Sequence, residues 1–252
     1  MSLPRRWSVQ ANTSASGAQP VWLLDLDNTL HDAFTHTFPL IKASMGDFIA
    51  RELAVSADRA GEIRDDYGRQ YGATLLGLTR HHGVDPHRFL NDVHPVSDLH
   101  GLIGLNASLR KSLQRLPGRR VLLTNAPRAY ANKVTRLLGV HPFLDDLIAI
   151  EDMHWIGQVQ PKPSRAMFRR IVAAQRVPAS QCILVEDSVP NLRHARAVGM
   201  RGVLVTGYVA GLGARGSDAV LAGRALSSRR VVHRIRSIAQ LPALLGKLRL
   251  QG

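Results

Sequence analysis

The chain carries short apolar runs at VWLL (21–24), VLLT (121–124), LIAI (147–150), CILV (182–185) and GVLV (202–205). They limit its possible folds more than any other feature. Each is strand-length and bounded by turn residues, and continuous apolar runs suit strands buried on both faces. Helical patterns lie between them. NASLRKSLQRL (106–116) spaces Leu109, Leu113 and Leu116 along one face and stops at Pro117-Gly118. RAYANKVTRLLGV (128–140) ends at Gly139, PSRAMFRRIVAAQRV (163–177) opens on Pro163 and Ser164, and VPNLRHARAVGM (189–200) ends at Gly199. Alternating strands and helices predict an α/β fold with a parallel, Rossmann-like sheet. A weaker strand, VVH (231–233), and a final helix, LPALLGKLRL, are expected near the end.

Residues 33–101 break this rhythm. FPLIKASMGDFIARELAV and the stretch from ADRAGEIRDD to HHGV look helical, no strand-like run interrupts them, and the segment is too long for a loop. The expected organisation is therefore a disordered tail (1–19), an α/β core built from 20–32 and 102–252, and a helical domain (33–101) inserted after the first strand. The tail lacks an apolar core of signal-peptide type, and no apolar run reaches membrane-spanning length, so a cytoplasmic protein without membrane attachment is expected.

The 252 residues include 33 Lys+Arg against 19 Asp+Glu, a formal charge of +14. That balance favours an acidic partner without choosing one. Arginines concentrate toward the end, at 215, 224, 229, 230, 234, 236 and 249, which raises a nucleic-acid-binding or regulatory protein as the reading from a different class. No aromatic residue interleaves with them, so nucleic acid is not the expected partner. The single cysteine, Cys182, lies in an apolar run and reads as a core residue. GLGARG (211–216) fits a glycine-rich dinucleotide pattern but opens no helix and reads as a loop. RHH (80–82) lacks a third zinc ligand and reads as surface.

Ligands of parallel α/β sheets bind at the carboxyl ends of the strands. Those ends carry Asp25 and Asp27, then Thr124 and Asn125, then Glu186, Asp187 and Ser188, with Lys162 held between two prolines in QPKPS. On a strand, Asp25 and Asp27 would share a face and repel each other. A hard cation among these oxygen ligands would make them compatible, and Mg²⁺ fits such a set with a phosphate substrate. An ionised carboxylate can then act as a nucleophile toward phosphorus.

DLDNT (25–29), LLTN (122–125), KP (162–163) and VEDS (185–188), in this order, resemble the phosphatase branch of the haloacid dehalogenase-like hydrolase superfamily. The resemblance implies a HAD-like core with a small α-helical cap after the first strand, and phosphomonoester hydrolysis through an aspartyl-phosphate. It implies Asp25 as nucleophile and Asp27 as the acid and then base, with the Asp27 main-chain carbonyl on Mg²⁺. Thr124, Asn125 and Lys162 would bind phosphate. Asp25, Glu186 and Asp187 would hold the metal, with Ser188 and Asn191 supporting that loop. Dehalogenases are expected to lack an acid at the position of Asp27, so its presence favours phosphoesters.

DLDNTLH, YGATLLGLTRHHGVDP (71–86), LPGRRVLLTNAP (116–127) and EDSVPNLRHARAVGM (186–200) further resemble the pyrimidine 5′-nucleotidase group. Related members carry Tyr at the position of His31 and a Lys-Pro-Asp or similar near 102–109. The implied substrate is a nucleoside 5′-monophosphate or a similar small phosphorylated metabolite, handled by a monomer or homodimer. His31, Tyr67, Tyr71 and Thr74 are candidate contacts from the cap. Alternatives keeping the same site are a phosphatase or phosphomutase for sugar phosphates or pyridoxal phosphate.

Overall fold

The computed structural model describes residues 19–94, 99–155, 158–208 and 232–248. Six parallel strands form one sheet: β1 (Val21–Leu24), β2 (Arg119–Leu123), β3 (Asp146–Ile148), β6 (Cys182–Glu186), β7 (Arg201–Val205) and β8 (Val232–Ile235). Their order is β3-β2-β1-β6-β7-β8. The chain therefore builds outward in one direction from β1 to β2 and β3, and in the other through β6, β7 and β8. A crevice opens at such a reversal, here at the carboxyl end of β1.

The strands read as unbroken apolar runs because both sheet faces are covered. Trp22 and Leu24 face a core that includes Leu109 and Leu113 of α6 (Ala107–Gln114), and Tyr130, Ala131 and Val134 of α7 (Arg128–Leu137). Val21 and Leu23 face the opposite core, with Met167, Phe168 and Ile171 of α8 (Arg165–Gln175) and Leu192 and Ala195 of α9 (Val189–Arg196). The period-2 alternation of a strand thus serves two helical layers. The buried Trp22 ring also donates its Nε1–H to the Pro117 carbonyl at 2.8 Å, meeting its one polar requirement.

Residues 33–93 form the helical insert, with α1 (Ala33–His36), α2 (Phe38–Leu53), α3 (Ala57–Tyr71), α4 (Thr74–His82) and α5 (Pro86–Val93). Ser56 caps α3 and Asp85 caps α5 through their side chains. The insert has its own apolar cluster, including Phe48, Ile49, Ile63, Leu78 and Phe89, and Ile150 of the α/β core joins it. Gly77 lets α3 and α4 approach closely, because a Cβ there would collide with the Tyr67 ring.

The structure differs from the sequence expectations in several places. β2 ends at Leu123 and β3 at Ile148, short of the apolar runs; a bend at 125–126 follows the first and a 3-10 turn at Ile150–Asp152 the second. A two-stranded antiparallel hairpin, β4 (His154–Trp155) and β5 (Gln158–Val159), carries no sequence signal, because two residues per strand are too few to show a period. The final helix, α10, spans only Leu241–Leu244 and gives way to turns through Leu248. The weak strand near the end is present as Val232–Ile235. GLGARG and most of the late arginines lie outside the described residues. Among the described residues no helix is long and apolar enough to cross a membrane.

Candidate active site

β1 ends at Leu24, so Asp25 and Asp27 lie in the loop that follows and do not share a strand face. Asn28 adopts a left-handed conformation (φ 59°), which a short polar residue tolerates, and its Oδ1 accepts from Phe34 N at 2.9 Å. This turn sends the two carboxylates to different partners. Asp25 meets Lys162, whereas Asp27 meets His31 and Tyr130.

Lys162 arrives from the loop before α8. Its ammonium donates to Asp25 Oδ1 at 2.5 Å, to Glu186 Oε2 at 2.8 Å and to the Leu123 carbonyl at 3.0 Å. Three acceptors satisfy its three protons. Burial opposes the charge on Lys162, but Asp25 and Glu186 outweigh it, and its pKa lies above the usual lysine value. The loop itself is gripped by Asn125, which donates from Nδ2 to the Lys162 carbonyl at 3.1 Å. Asn125 Oδ1 also accepts from Lys162 N at 2.9 Å. The Asn125 amide, expected at phosphate, thus also fixes the backbone that carries the lysine.

Asp25, Glu186 and Asp187 each present a carboxylate oxygen within 4.8 Å of the other two. Burial, then the charge of Glu186, raises the Asp25 pKa to about 7 despite Lys162. Burial, Glu186 and Asp25 raise that of Asp187 to about 9. Ionising all three against one ammonium would leave two negative charges uncompensated, which is why Asp25 and Asp187 hold their protons to higher pH. This donor set fits a divalent hard cation, which would neutralise that excess with oxygen ligands. The Asp27 carboxylate lies outside this trio.

Thr124, buried at the end of β2, accepts from Ala126 N through Oγ1 at 3.0 Å, which leaves its hydroxyl proton to donate elsewhere. Ser188 precedes α9 and donates its N–H to Glu186 Oε1 at 3.2 Å, bracing the carboxylate, while its hydroxyl makes no capping bond. Asn191 is half-buried on the first turn of α9.

The four insert-side candidates separate. His31 is buried and turned toward Asp27, at 2.9 Å from Oδ1. Tyr67 packs on α4 and bonds His82 at 2.8 Å. Thr74 donates to the Arg64 carbonyl at 3.1 Å. Tyr71, whose hydroxyl lies 2.5 Å from His81 Nε2, also lines a cavity of about 240 Å³. That cavity lies between the α3–α4 corner (Tyr71, Ala73, Leu76) and the segment Val159–Ser164, so Lys162 belongs to both cavity wall and carboxylate cluster.

Sequence reasoning missed Tyr130. Fully buried on α7, it donates its phenol proton to Asp27 Oδ1 at 2.9 Å. Burial, reinforced by the Asp27 charge, holds its pKa far above the usual value, so it remains a donor. Nothing local in RAYAN marks it, since a tyrosine on a helix stripe is ordinary core. Cys182 is buried and its thiol is pushed up to about 11, in keeping with a core role.

Residues 21–199 match the model of the haloacid dehalogenase-like hydrolases. The chain belongs to that family. It is 29% identical over 241 residues to a plasmid-encoded phosphoglycolate phosphatase of Cupriavidus necator, covering 90% of this chain and 94% of that protein. It is 24% identical over 203 residues to phosphate metabolism protein 8 of Saccharomyces cerevisiae, covering 74% of this chain but only 61% of the yeast protein. Among solved structures, CbbY of Rhodobacter sphaeroides in complex with phosphate superposes with a TM-score of 0.56 at 20% identity. That superposition covers 89% of this chain and 96% of CbbY. The likeness supports the shared fold: a parallel sheet flanked by helices, with a helical insert after the first strand.

Proposed function

We propose that this hydrolase is a Mg²⁺-dependent phosphomonoesterase that works through an aspartyl-phosphate on Asp25. The carrying observation is the buried meeting of Asp25, Lys162, Glu186 and Asp187 at the switch point of the sheet. Asp25, Glu186 and Asp187 would hold the ion, with the Asp27 main-chain carbonyl beside them. When bound, the ion supplies charge neutralisation for the carboxylates and the transferring phosphoryl oxygens.

The protein groups divide the remaining work. Lys162 fixes Asp25 and offers positive charge to the phosphoryl oxygens, and the free proton of Thr124 is available to one of them. Asp25 attacks phosphorus as the ester P–O bond breaks, and Asp27 gives its proton to the departing oxygen. Asp27 then takes a proton from water, whose oxygen attacks phosphorus and releases Asp25.

For the substrate, we infer a nucleoside 5′-monophosphate, with α1–α5 acting as a cap over the crevice. The cavity beside Lys162 is lined by Tyr71, Leu76, Val159, Pro161 and Pro163, with Gln160 and Ser164 as polar groups. Among the described residues of that lining Lys162 alone is cationic, and its ammonium is bound to Asp25 and Glu186. A flat, uncharged leaving group suits such walls better than a second anion would. A second reading, a small phosphorylated acid, draws on the similarity to the phosphoglycolate phosphatase.

Phosphate release from nucleoside monophosphates, phosphoglycolate and sugar phosphates, with Mg²⁺ and with chelator, tests both. Metal-dependent release lost in Asp25→Asn is expected, with nucleotides ranked first. Phosphoglycolate ranked first would replace the nucleotide reading and keep the reaction. Release that survives Asp25→Asn would remove the aspartyl-phosphate.

A further inference from the structure

Asp27 is gripped at a single atom. His31 Nε2 and the Tyr130 hydroxyl both lie 2.9 Å from Oδ1. Oδ1 only accepts, whether the carboxylate is ionised or carries its proton on Oδ2, so both partners donate to it, His31 through a proton on Nε2. Among the described residues no hydrogen bond reaches Oδ2, and the Asp27 side chain is 18% exposed at the crevice.

The two donors are themselves fixed. Thr37 Oγ1 lies 3.0 Å from the Tyr130 hydroxyl, and the His94 ring meets the Tyr130 ring edge to face at 5.4 Å. His31 is buried in the turn that follows β1, four residues beyond Asp27. Asp27 is thus held by one donor from its own loop and one from α7, more than a hundred residues later in the chain.

We infer that Tyr130 and His31 are positioning residues that pin Oδ1, making Oδ2 the oxygen that exchanges the proton. The inference rests on the phosphomonoesterase reading. In the first step the Oδ2–H bond breaks, its proton goes to the ester oxygen, and that oxygen leaves phosphorus as Asp25 bonds to it. The carboxylate left behind is stabilised by its two donors. In the second step Oδ2 takes the proton of the attacking water as the Asp25–phosphorus bond breaks.

A poor leaving group needs that proton; nitrophenolate does not. The test is kcat/KM, which reports formation of the phosphoenzyme, for an alkyl phosphate and for nitrophenyl phosphate with Mg²⁺. Tyr130→Phe should lower it about 10²-fold for the alkyl ester and only about threefold or less for the nitrophenyl ester, the selective loss expected of impaired acid catalysis. In an Asp27→Asn background the same change should cost nothing more, because its effect runs through Asp27. If Tyr130→Phe fails to fold, His31→Phe carries the same comparison, with His31→Gln restoring a donor and the alkyl-ester rate. Equal losses on both esters, or a further loss in the Asp27→Asn background, overturn the inference. No release from either ester by the unsubstituted protein overturns the phosphomonoesterase reading instead.

Discussion

Lys162 and Asp25, 137 residues apart in sequence, meet at 2.5 Å with both side chains buried. Desolvating two charges is costly, and their attraction offsets that cost only when other bonds complete the geometry. Glu186 and the Leu123 carbonyl provide those bonds.

Removing the ammonium should therefore expose the cost of the carboxylates it serves. Lys162→Met is expected to destabilise the protein by about 3–5 kcal/mol in chelator, the range for breaking a buried ion pair. Denaturant unfolding with and without Mg²⁺ checks this. Part of the loss should return with the ion, while phosphate release stays abolished. An unchanged unfolding midpoint in chelator would contradict the ion pair's structural role.

The raised pKa values set a pH dependence. Asp25 and Asp187 move from an ordinary 3.8 to about 7 and about 9, so between those limits the native state holds protons that the unfolded chain has released. Metal-free stability should therefore fall as pH rises through that window. A divalent cation competes with the same protons, so the gain in Tm from Mg²⁺ should grow from about pH 5 to about pH 9. Calorimetry across pH, with chelator or Mg²⁺, measures it; a gain that shrinks toward high pH would contradict the assignment.

Asn125 predicts a different split. Asn125→Ala leaves the N–H and carbonyl of Lys162 without their partners, at about 1–3 kcal/mol for each unsatisfied group where water cannot replace the amide. The lysine then loses its fixed origin, so kcat should fall by more than stability alone explains. Steady-state kinetics well below Tm separates the two effects.

Gly77→Ala tests the insert. The added Cβ collides with the Tyr67 ring, forcing α4 away from α3 at about 1–3 kcal/mol, the usual range for overpacking. Tyr71 and Leu76 lie on either side of that contact and line the cavity, so KM should rise while kcat changes less. A KM equal to that of the unsubstituted protein would detach the cavity from substrate binding.

What the sequence makes legible here follows physical range. β1, β2, β6 and β7 appear as apolar runs because two helical layers bury them. Asp25, Thr124 and Glu186 appear because strand ends are where such a sheet opens, and Lys162 because two prolines flank it. Contacts decided by side-chain direction across the fold are not legible. Asn125 bonds the Lys162 backbone, and His31 faces Asp27. Tyr130 is the clearest case, since its partner lies 103 positions away and its helix pattern is that of any core residue.

The strand order also constrains how the molecule can be made. β1 ends at residue 24, but its two neighbours begin at 119 and 182. During synthesis this apolar strand leaves the ribosome long before either edge can be paired, while the helices of 33–93 can assemble from nearby contacts. Asp25 has no ammonium beside it until residue 162 emerges, and β1 lacks its second flank until β6 follows. A nascent chain stopped short of residue 182 would expose one unpaired edge of β1, an invitation to aggregation that chaperones would have to shield.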